Sequence, residues 1–98
     1  MKIYFAPLEG ITDGIYRQVF NEYFGGTDKF FAPFISPSAD FRITRREWRQ
    51  LLYDSGAPYT VVPQVLVREP GVFVMGLMKL KELGFNEVNL NLGCPSAR

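Results

Sequence analysis

The sequence predicts an α/β fold, namely a parallel (β/α) half-barrel made of the first four strands of a TIM barrel. Short apolar runs alternate with helical patterns in the order β-α-β-α-β-α-β. The connections are short enough for right-handed crossovers, which make successive strands parallel. The chain has 98 residues, well under half of the roughly 250 that a whole barrel needs. Residues 1–98 are therefore expected to form the N-terminal half of a barrel domain.

The first strand is a short apolar run over residues 3–6, which Pro7 ends. Thr12 or Asp13 is expected to cap the helix that follows. A Gly25-Gly26 pair marks the end of that helix. Its apolar side chains recur at helical spacing and predict one wide apolar stripe, made of Ile15, Tyr16, Val19, Phe20, Tyr23 and Phe24.

The second strand lies within residues 29–34 and is expected to be short, because Pro33 closes it. A longer polar loop follows. Thr44 and Glu47 then fit a capping box, in which the two side chains accept hydrogen bonds from backbone N–H groups of the first turn. The second helix is expected to end near Ser55-Gly56, and its apolar face consists of Trp48, Leu51 and Leu52.

The third strand is predicted over residues 60–66 and contains Pro63 and Gln64. An unpaired buried amide costs roughly 1–3 kcal/mol, so we expect Gln64 to have a hydrogen-bond partner. Pro70 suits the first turn of the third helix, which Gly84 ends. The apolar stripe predicted for this helix consists of Phe73, Leu77, Leu80 and Leu83.

The fourth strand leads directly to the only cysteine of the chain. Asn89 and Asn91 alternate with apolar residues, so both amides are expected on one face of the strand. Gly93 permits a sharp turn before Cys94. Ligands bind beyond the carboxyl ends of parallel strands, which makes Cys94 a candidate site residue. The alternative is that a lone cysteine is a small buried hydrophobe.

The composition excludes several classes of protein. A hydrophobic content of 47% with 15% aromatic residues is typical of a folded protein. One cysteine and no histidine leave too few ligands for a zinc or iron–sulfur site, so no metal is expected. No apolar run approaches the roughly 20 residues of a membrane span, and the N-terminus lacks a signal peptide. We therefore expect a cytoplasmic protein that does not bind membranes.

The net charge of +1 gives no global attraction to nucleic acid, so any such binding must come from a local patch. The candidate patch lies beside Trp48. It can be a surface that binds phosphates, or simply the solvated face of a helix. Its members are Arg42, Arg45, Arg46 and Arg49.

Three motifs resemble those of the tRNA-dihydrouridine synthases. They are APLEGITD at residues 6–13, Pro63-Gln64 in the third strand, and NLNLGCPS at residues 89–96. The motifs span nearly the whole chain in the order and spacing of that family. The last motif is specific, the first is moderately so, and Pro-Gln alone is weak.

The resemblance implies an FMN-dependent oxidoreductase, built on a β/α barrel, that reduces uridine in tRNA to 5,6-dihydrouridine with NADPH as the reductant. In this family the cysteine of the last motif, here Cys94, is the general acid that protonates C5 of the base. A thiol with an ordinary pKa of about 8.5 is mostly protonated at neutral pH, which suits that role.

The resemblance also implies a set of binding residues. Pro7, Leu8 and Glu9 would line the flavin, and Gln64 would form hydrogen bonds with the pyrimidine edge of its isoalloxazine ring. Asn91 would contact the substrate uridine or the flavin. The alternative for Gln64 and Asn91 is that they are interior amides satisfied by other protein groups. Many relatives have methionine at the position of Leu8. The two side chains are apolar and similar in volume.

Other parts of the family's site would lie beyond Arg98. These are a lysine and a histidine that contact flavin, the phosphate-binding loops and a helical tRNA-binding domain. The 98-residue chain is therefore expected to be inactive alone and to self-associate through its open strand edges. Two other functions remain open at this point: an FMN barrel oxidoreductase acting on a free pyrimidine, and a non-catalytic half-barrel assembly module.

Overall fold

A computed structural model describes residues 1–37, 40 and 42–92 of the chain. The described residues form a mixed α/β structure. Its helices are α1 (Gly14–Tyr23), α2 (Arg45–Leu52) and α3 (Pro70–Glu82). Its strands are β1 (Tyr4–Phe5), β2 (Lys29–Phe31), β3 (Thr60–Val62), β4 (Gln64–Val65) and β5 (Asn89–Leu90). Within this part of the chain, no helix has the length and hydropathy that spanning a membrane requires.

All strand pairs are parallel, and the strands follow one another in chain order. One sheet has the order β1-β2-β3, and a second sheet pairs β4 with β5. An isolated parallel bridge between Ile35 and Val65 connects the segment after β2 to β4. This arrangement is compatible with the predicted half-barrel, although the described residues do not form a barrel.

The third strand, predicted over residues 60–66, is split into β3 and β4. Pro63 lies between β3 and β4 and has no N–H group with which to continue the hydrogen-bond ladder. The Pro63 carbonyl still accepts a hydrogen bond from Asn89 N, at 2.9 Å. The chain therefore leaves β2 at Val62 and pairs with β5 from Gln64 onwards.

A buried apolar cluster packs α2 and α3 against the strands. Leu51 comes from α2 and Leu80 from α3, and both are almost completely buried. Burial of each large aliphatic side chain stabilises the fold by about 1.5–3 kcal/mol. The other fully buried members are Ala32, Ile35 and Val65. The partly buried Trp48 side chain packs against this cluster, as expected for the apolar face of α2.

An aromatic cluster holds α1 on the first sheet. The ring of Phe20 on α1 lies 4.7 Å from that of Phe5 on β1, measured between centroids, in an edge-to-face geometry. Phe30 on β2 lies 5.4 Å from Phe5 and 4.9 Å from the ring of Tyr59. Such pairs contribute about 0.5–1.5 kcal/mol beyond their buried area.

Local capping signals were predicted correctly. The Asp13 carboxylate accepts a hydrogen bond from Tyr16 N at 2.8 Å and caps α1. The capping box between Thr44 and Glu47 is present at the start of α2. Pro70 lies in the first turn of α3. Gly84, just beyond the end of that helix, adopts a positive φ of 99°.

The predicted apolar stripe of α1 is mostly exposed. Of its six residues only Phe20 is partly buried, while Tyr23 and Phe24 are 75% and 76% exposed. The buried residues of α1 are Gly14 and Arg17. Gly14 packs closely against Tyr53, which follows α2, since a Cβ atom at Gly14 would overlap that side chain.

The predicted stripe of α3 is confirmed in part. Leu80 is buried as expected and Phe73 packs against the core cluster, whereas Leu77 and Leu83 are exposed. The fully buried residues of α3 are Val72, Gly76 and Leu80, which follow each other at a spacing of four.

A buried ion pair joins α1 to the end of α2. Arg17 Nε donates to Asp54 Oδ2 at 2.7 Å, and Nη2 donates to Asp54 Oδ1 at 2.8 Å. The guanidinium also donates to the Thr12 carbonyl at 3.0 Å and to the Gln50 carbonyl at 2.6 Å. The Tyr59 hydroxyl donates to Asp54 Oδ2 at 2.8 Å. Every oxygen of the carboxylate and every nitrogen of the guanidinium therefore has a partner.

We expect the Asp54→Asn variant to lose about 3–5 kcal/mol of unfolding free energy, because it leaves a buried guanidinium without its counter-ion. The matched control is Glu87→Gln, which makes the same chemical change in the exposed pair between Lys29 and Glu87. Urea unfolding of both variants measures the difference. Equal losses in the two variants would contradict a dominant role for the buried pair.

We expect the stabilising effect of Tyr59 to depend on pH. Burial, and then the hydrogen bond to the Asp54 carboxylate, raise the pKa of the Tyr59 hydroxyl above its ordinary value of about 10. The unfolded chain loses this proton near pH 10 while the folded protein keeps it. The contribution is therefore complete below about pH 10 and is lost as the pH rises towards the folded pKa.

The test compares the urea unfolding of wild type and Tyr59→Phe between about pH 8 and 11. The stability advantage of the wild type should shrink across the upper part of this range. An advantage that stays constant with pH would show that the hydroxyl titrates at an ordinary pKa in the folded protein.

Candidate functional site

The predicted site residues that the structure describes lie in or directly after parallel strands. Leu8 and Glu9 follow the carboxyl end of β1, and Asn91 follows that of β5, whereas Gln64 follows β3 and is the first residue of β4. Because the strands are parallel, these ends face the same edge of the structure. That edge is where α/β proteins bind ligands.

Three side-chain amides form a connected set, which we call the amide ladder: Gln64, Asn89 and Asn91. Gln64 Nε2 donates to Asn89 Oδ1 at 2.9 Å, and Asn91 Nδ2 donates to Gln64 Oε1 at 3.2 Å. The expectation that Gln64 has a hydrogen-bond partner is therefore confirmed. Of the predicted site residues, the structure brings Gln64 and Asn91 into direct contact.

Backbone pairing puts the amide ladder in place. Gln64 and Asn89 are partners in the register of β4 and β5. Asn91 N donates to the Val65 carbonyl at 2.9 Å, which extends this pairing past the end of β5. Asn89 and Asn91 are two residues apart and so project to the same side of the strand. Sequence analysis gave Asn89 no role, although that spacing was the available signal.

Gln64 retains hydrogen-bonding capacity within the amide ladder. A side-chain amide has two N–H hydrogens and two carbonyl lone pairs. The two bonds within the ladder use one hydrogen and one lone pair of Gln64. All three side chains are only partly buried, so a ligand can reach them. The arrangement suits the edge of a flat heterocycle that carries both carbonyl and N–H groups.

The loop after β1 is closed around the buried Thr12 side chain. Leu8 N donates to Thr12 Oγ1 at 2.8 Å, and the same hydroxyl donates to the Leu8 carbonyl at 3.2 Å. The amides of Ile11 and Thr12 also donate to the Leu8 carbonyl, each at 3.0 Å. The Leu8 side chain is 59% exposed. The loop therefore presents an apolar side chain on a backbone that several hydrogen bonds hold in place.

Glu9 lies at a cavity of about 240 Å³ between this loop, the segment after β2 and α2. Phe34, Thr44 and Arg46 also line it. A neighbouring cavity of about 230 Å³ is lined by Gly10, Arg46 and Arg49, among others. The Glu9 loop follows β1, and Gln64 lies on β4. The segment formed by β2 and Ile35 lies between these two strands in the strand order.

Three of the four arginines of the candidate nucleic-acid patch lie on the solvent side of α2, and Arg42 precedes the helix. Arg45, Arg46 and Arg49 are exposed. Arg42 forms an exposed ion pair with Asp40 at 2.7 Å. Trp48 does not extend this surface, because it packs against the core. Both alternatives, a phosphate-binding surface and a solvated helix face, are compatible with this placement.

Cys94, the predicted general acid, lies outside the described residues, as does the rest of the segment from residue 93 to 98. Its assignment therefore stays a prediction. Within the described ranges, no group of three or more acidic, cysteine or histidine side chains is arranged to hold a metal ion.

Parallel strands in chain order define an α/β protein, a class whose members bind ligands beyond the carboxyl ends of their strands. The family model described as dihydrouridine synthase matches residues 4–98. The chain therefore belongs to the dihydrouridine synthase family, which makes dihydrouridine in tRNA. The resemblance of its motifs is confirmed. Comparison with curated proteins gave no match.

Proposed function

We propose that the chain is the N-terminal part of the barrel of an FMN-dependent tRNA-dihydrouridine synthase that uses NADPH and acts in the cytoplasm. The observation that carries the proposal is the amide ladder between β4 and β5 of a chain that belongs to this family. The family match favours uridine in tRNA over a free pyrimidine as the substrate.

The residues at the strand ends fit one part of a flavin. In the proposed site, Gln64 forms hydrogen bonds with the pyrimidine edge of the ring system, whose carbonyl and N–H groups complement an amide. Pro7, Leu8 and Glu9 line the flavin, and the exposed Leu8 side chain offers an apolar contact. A flavin held by these residues would supply hydride for reduction of the C5–C6 double bond of uracil. Asn91 contacts the uridine or the flavin.

Cys94 completes the proposed reaction by donating a proton from Sγ to C5 of the base. Addition of hydride at C6 would leave negative charge on C5 of the base. A proton delivered to C5 neutralises this charge. A thiol is a suitable donor because it is mostly protonated at neutral pH. In the sequence Cys94 follows Asn91 by three residues, which supports its assignment to the same site as the amide ladder.

In a protein that carries the whole barrel, the Cys94→Ala variant should retain flavin and be reduced by NADPH at the normal rate. Release of dihydrouridine should fall by 10²-fold or more, the usual effect of removing a general acid. Stopped-flow absorbance measures the first half-reaction, and product analysis of tRNA measures the second. A comparable loss in the NADPH half-reaction would contradict the role, since that step needs no proton at C5.

We also propose that the isolated chain self-associates and is inactive. Among the described residues, β1 pairs only with β2 and β5 pairs only with β4, which leaves an edge on each side. Open strand edges are templates for pairing with another chain. Exposed apolar residues of α1 add to the surface that a second copy can cover. They include Ile15, Val19, Tyr23 and Phe24.

Sedimentation velocity of the purified chain at micromolar concentration should therefore show a dimer or larger species. The Val19→Lys variant, which puts a charge on the exposed face of α1, should shift the distribution towards monomer. The matched control is Lys79→Arg, which preserves an exposed charge on α3. A monomer with a cooperative thermal transition at every concentration would refute self-association.

A further inference from the structure

The buried Thr12 hydroxyl is bound to the backbone of the loop after β1. It accepts a hydrogen bond from Leu8 N at 2.8 Å and donates to the Leu8 carbonyl at 3.2 Å. The direction of the first bond is fixed, because a backbone N–H can only donate. The Leu8 carbonyl also accepts from Ile11 N and Thr12 N, each at 3.0 Å, so it keeps two partners without the hydroxyl. Within the described part of the chain, the partner of the Leu8 N–H group is the Thr12 hydroxyl.

The main chain of Thr12 is held by the buried ion pair. Its carbonyl accepts a hydrogen bond from Arg17 Nη1 at 3.0 Å, and the same guanidinium bonds both carboxylate oxygens of Asp54. The side chains of Thr12 and Arg17 are almost completely buried, so close packing leaves them few alternative positions. The Thr12 hydroxyl is therefore a fixed acceptor for the loop.

The Leu8 side chain has the opposite environment from its backbone. It is 59% exposed, although the N–H and carbonyl groups of the same residue are both bonded. An exposed leucine by itself indicates nothing. On a backbone that is already held, however, it offers an apolar contact in a fixed position. A ligand that binds there does not have to order the loop, so less conformational entropy is lost on binding.

We propose that Thr12 is a positioning residue, whose hydroxyl holds the Leu8 backbone so that the Leu8 side chain meets the face of a flat ring without rearrangement of the loop. The identity of that ring, a flavin, rests on the proposed function. The fixed position of Leu8 rests on the hydrogen bonds of Thr12 alone. Thr12 acts through Leu8 and needs no contact with the ligand.

Two substitutions at the same position separate the hydroxyl of Thr12 from its methyl group. Thr12→Val keeps the shape of the side chain and removes the hydroxyl, so the Leu8 N–H group loses its acceptor. Thr12→Ser keeps the hydroxyl and removes the methyl group, which leaves a small cavity. The serine substitution is therefore the matched control, because it disturbs packing and retains the hydrogen bond.

Hydrogen exchange of the Leu8 backbone amide, followed by NMR on the chain, measures this hold directly. In the wild type the amide should exchange about tenfold or more slowly than in the unfolded chain. Thr12→Val should remove this protection, whereas Thr12→Ser should retain it to within about threefold. The Ala32 amide, which donates to the Val62 carbonyl at 2.9 Å, reports on the whole fold and separates a local loss from global unfolding.

Ligand affinity is measured with FMN as the probe, in a protein that carries the whole barrel. The Kd for FMN should rise about tenfold in Thr12→Val, roughly the cost of ordering one freed backbone residue. Thr12→Ser should stay within about threefold of the wild type. A role limited to packing would instead weaken binding more in Thr12→Ser, which is the variant that loses volume.

Equal exchange rates of the Leu8 amide in Thr12→Val and Thr12→Ser would overturn the proposal. A wild-type Leu8 amide that exchanges as fast as in the unfolded chain would overturn it too, and that result requires neither variant to fold. Lost protection in Thr12→Val with unchanged FMN affinity would overturn the part that concerns the ligand. The exchange measurements involve no flavin, so if the wild type fails to bind FMN, the proposed cofactor fails while the exchange data still decide the role of Thr12.

Discussion

The buried ion pair between Arg17 and Asp54 is the constraint on which the rest of the fold depends. Removing two charges from water costs several kcal/mol per ion, and this cost is offset only when the geometry is good and all remaining polar atoms are bonded. Here the guanidinium also bonds the carbonyls of Thr12 and Gln50, while the carboxylate accepts from Tyr59. The loop after β1, the end of α2 and the start of β3 are thereby held together.

Thr12 connects this ion pair to the candidate site. The Thr12 carbonyl bonds Arg17, while its hydroxyl bonds the backbone of Leu8. The loop that presents Leu8 and Glu9 is therefore connected to the most deeply buried charges of the protein. The amide ladder is held by different means, namely strand pairing and neutral hydrogen bonds. Two parts of the proposed binding edge thus have independent supports, one ionic and one neutral.

Sequence patterns predicted what depends on near neighbours and missed what depends on distant ones. The capping box of Thr44 and Glu47 involves residues three apart, and the structure confirms it. Arg17 and Asp54 are 37 residues apart. Nothing in a helical pattern distinguishes a buried arginine from a solvated one. The parallel strand order could be anticipated, whereas the consequence of Pro63, a split strand that exchanges partners, depends on which neighbours the chain meets.

In the candidate site, too, the sequence predicted local features but not the contacts between distant residues. A partner for Gln64 was predicted from the cost of burying an amide, but the identity of that partner required the register of β4 and β5. Asn89 is 25 residues from Gln64 in the chain. The alternation of Asn89 and Asn91 was visible in the sequence, and only the pairing of the strands shows that both amides bond the same side chain.

The chemical character of the amide ladder separates recognition from proton transfer in the proposed enzyme. The side chains of Gln64, Asn89 and Asn91 do not titrate, so their hydrogen-bonding pattern stays the same across the whole range in which a thiol ionises. The proposed proton donor, Cys94, does titrate in that range. A neutral ladder therefore offers a ligand the same hydrogen-bonding groups whether the thiol is protonated or not. Carboxylates in place of these amides would have coupled recognition to proton transfer, because each change in their ionisation would also change the hydrogen bonds available to Gln64.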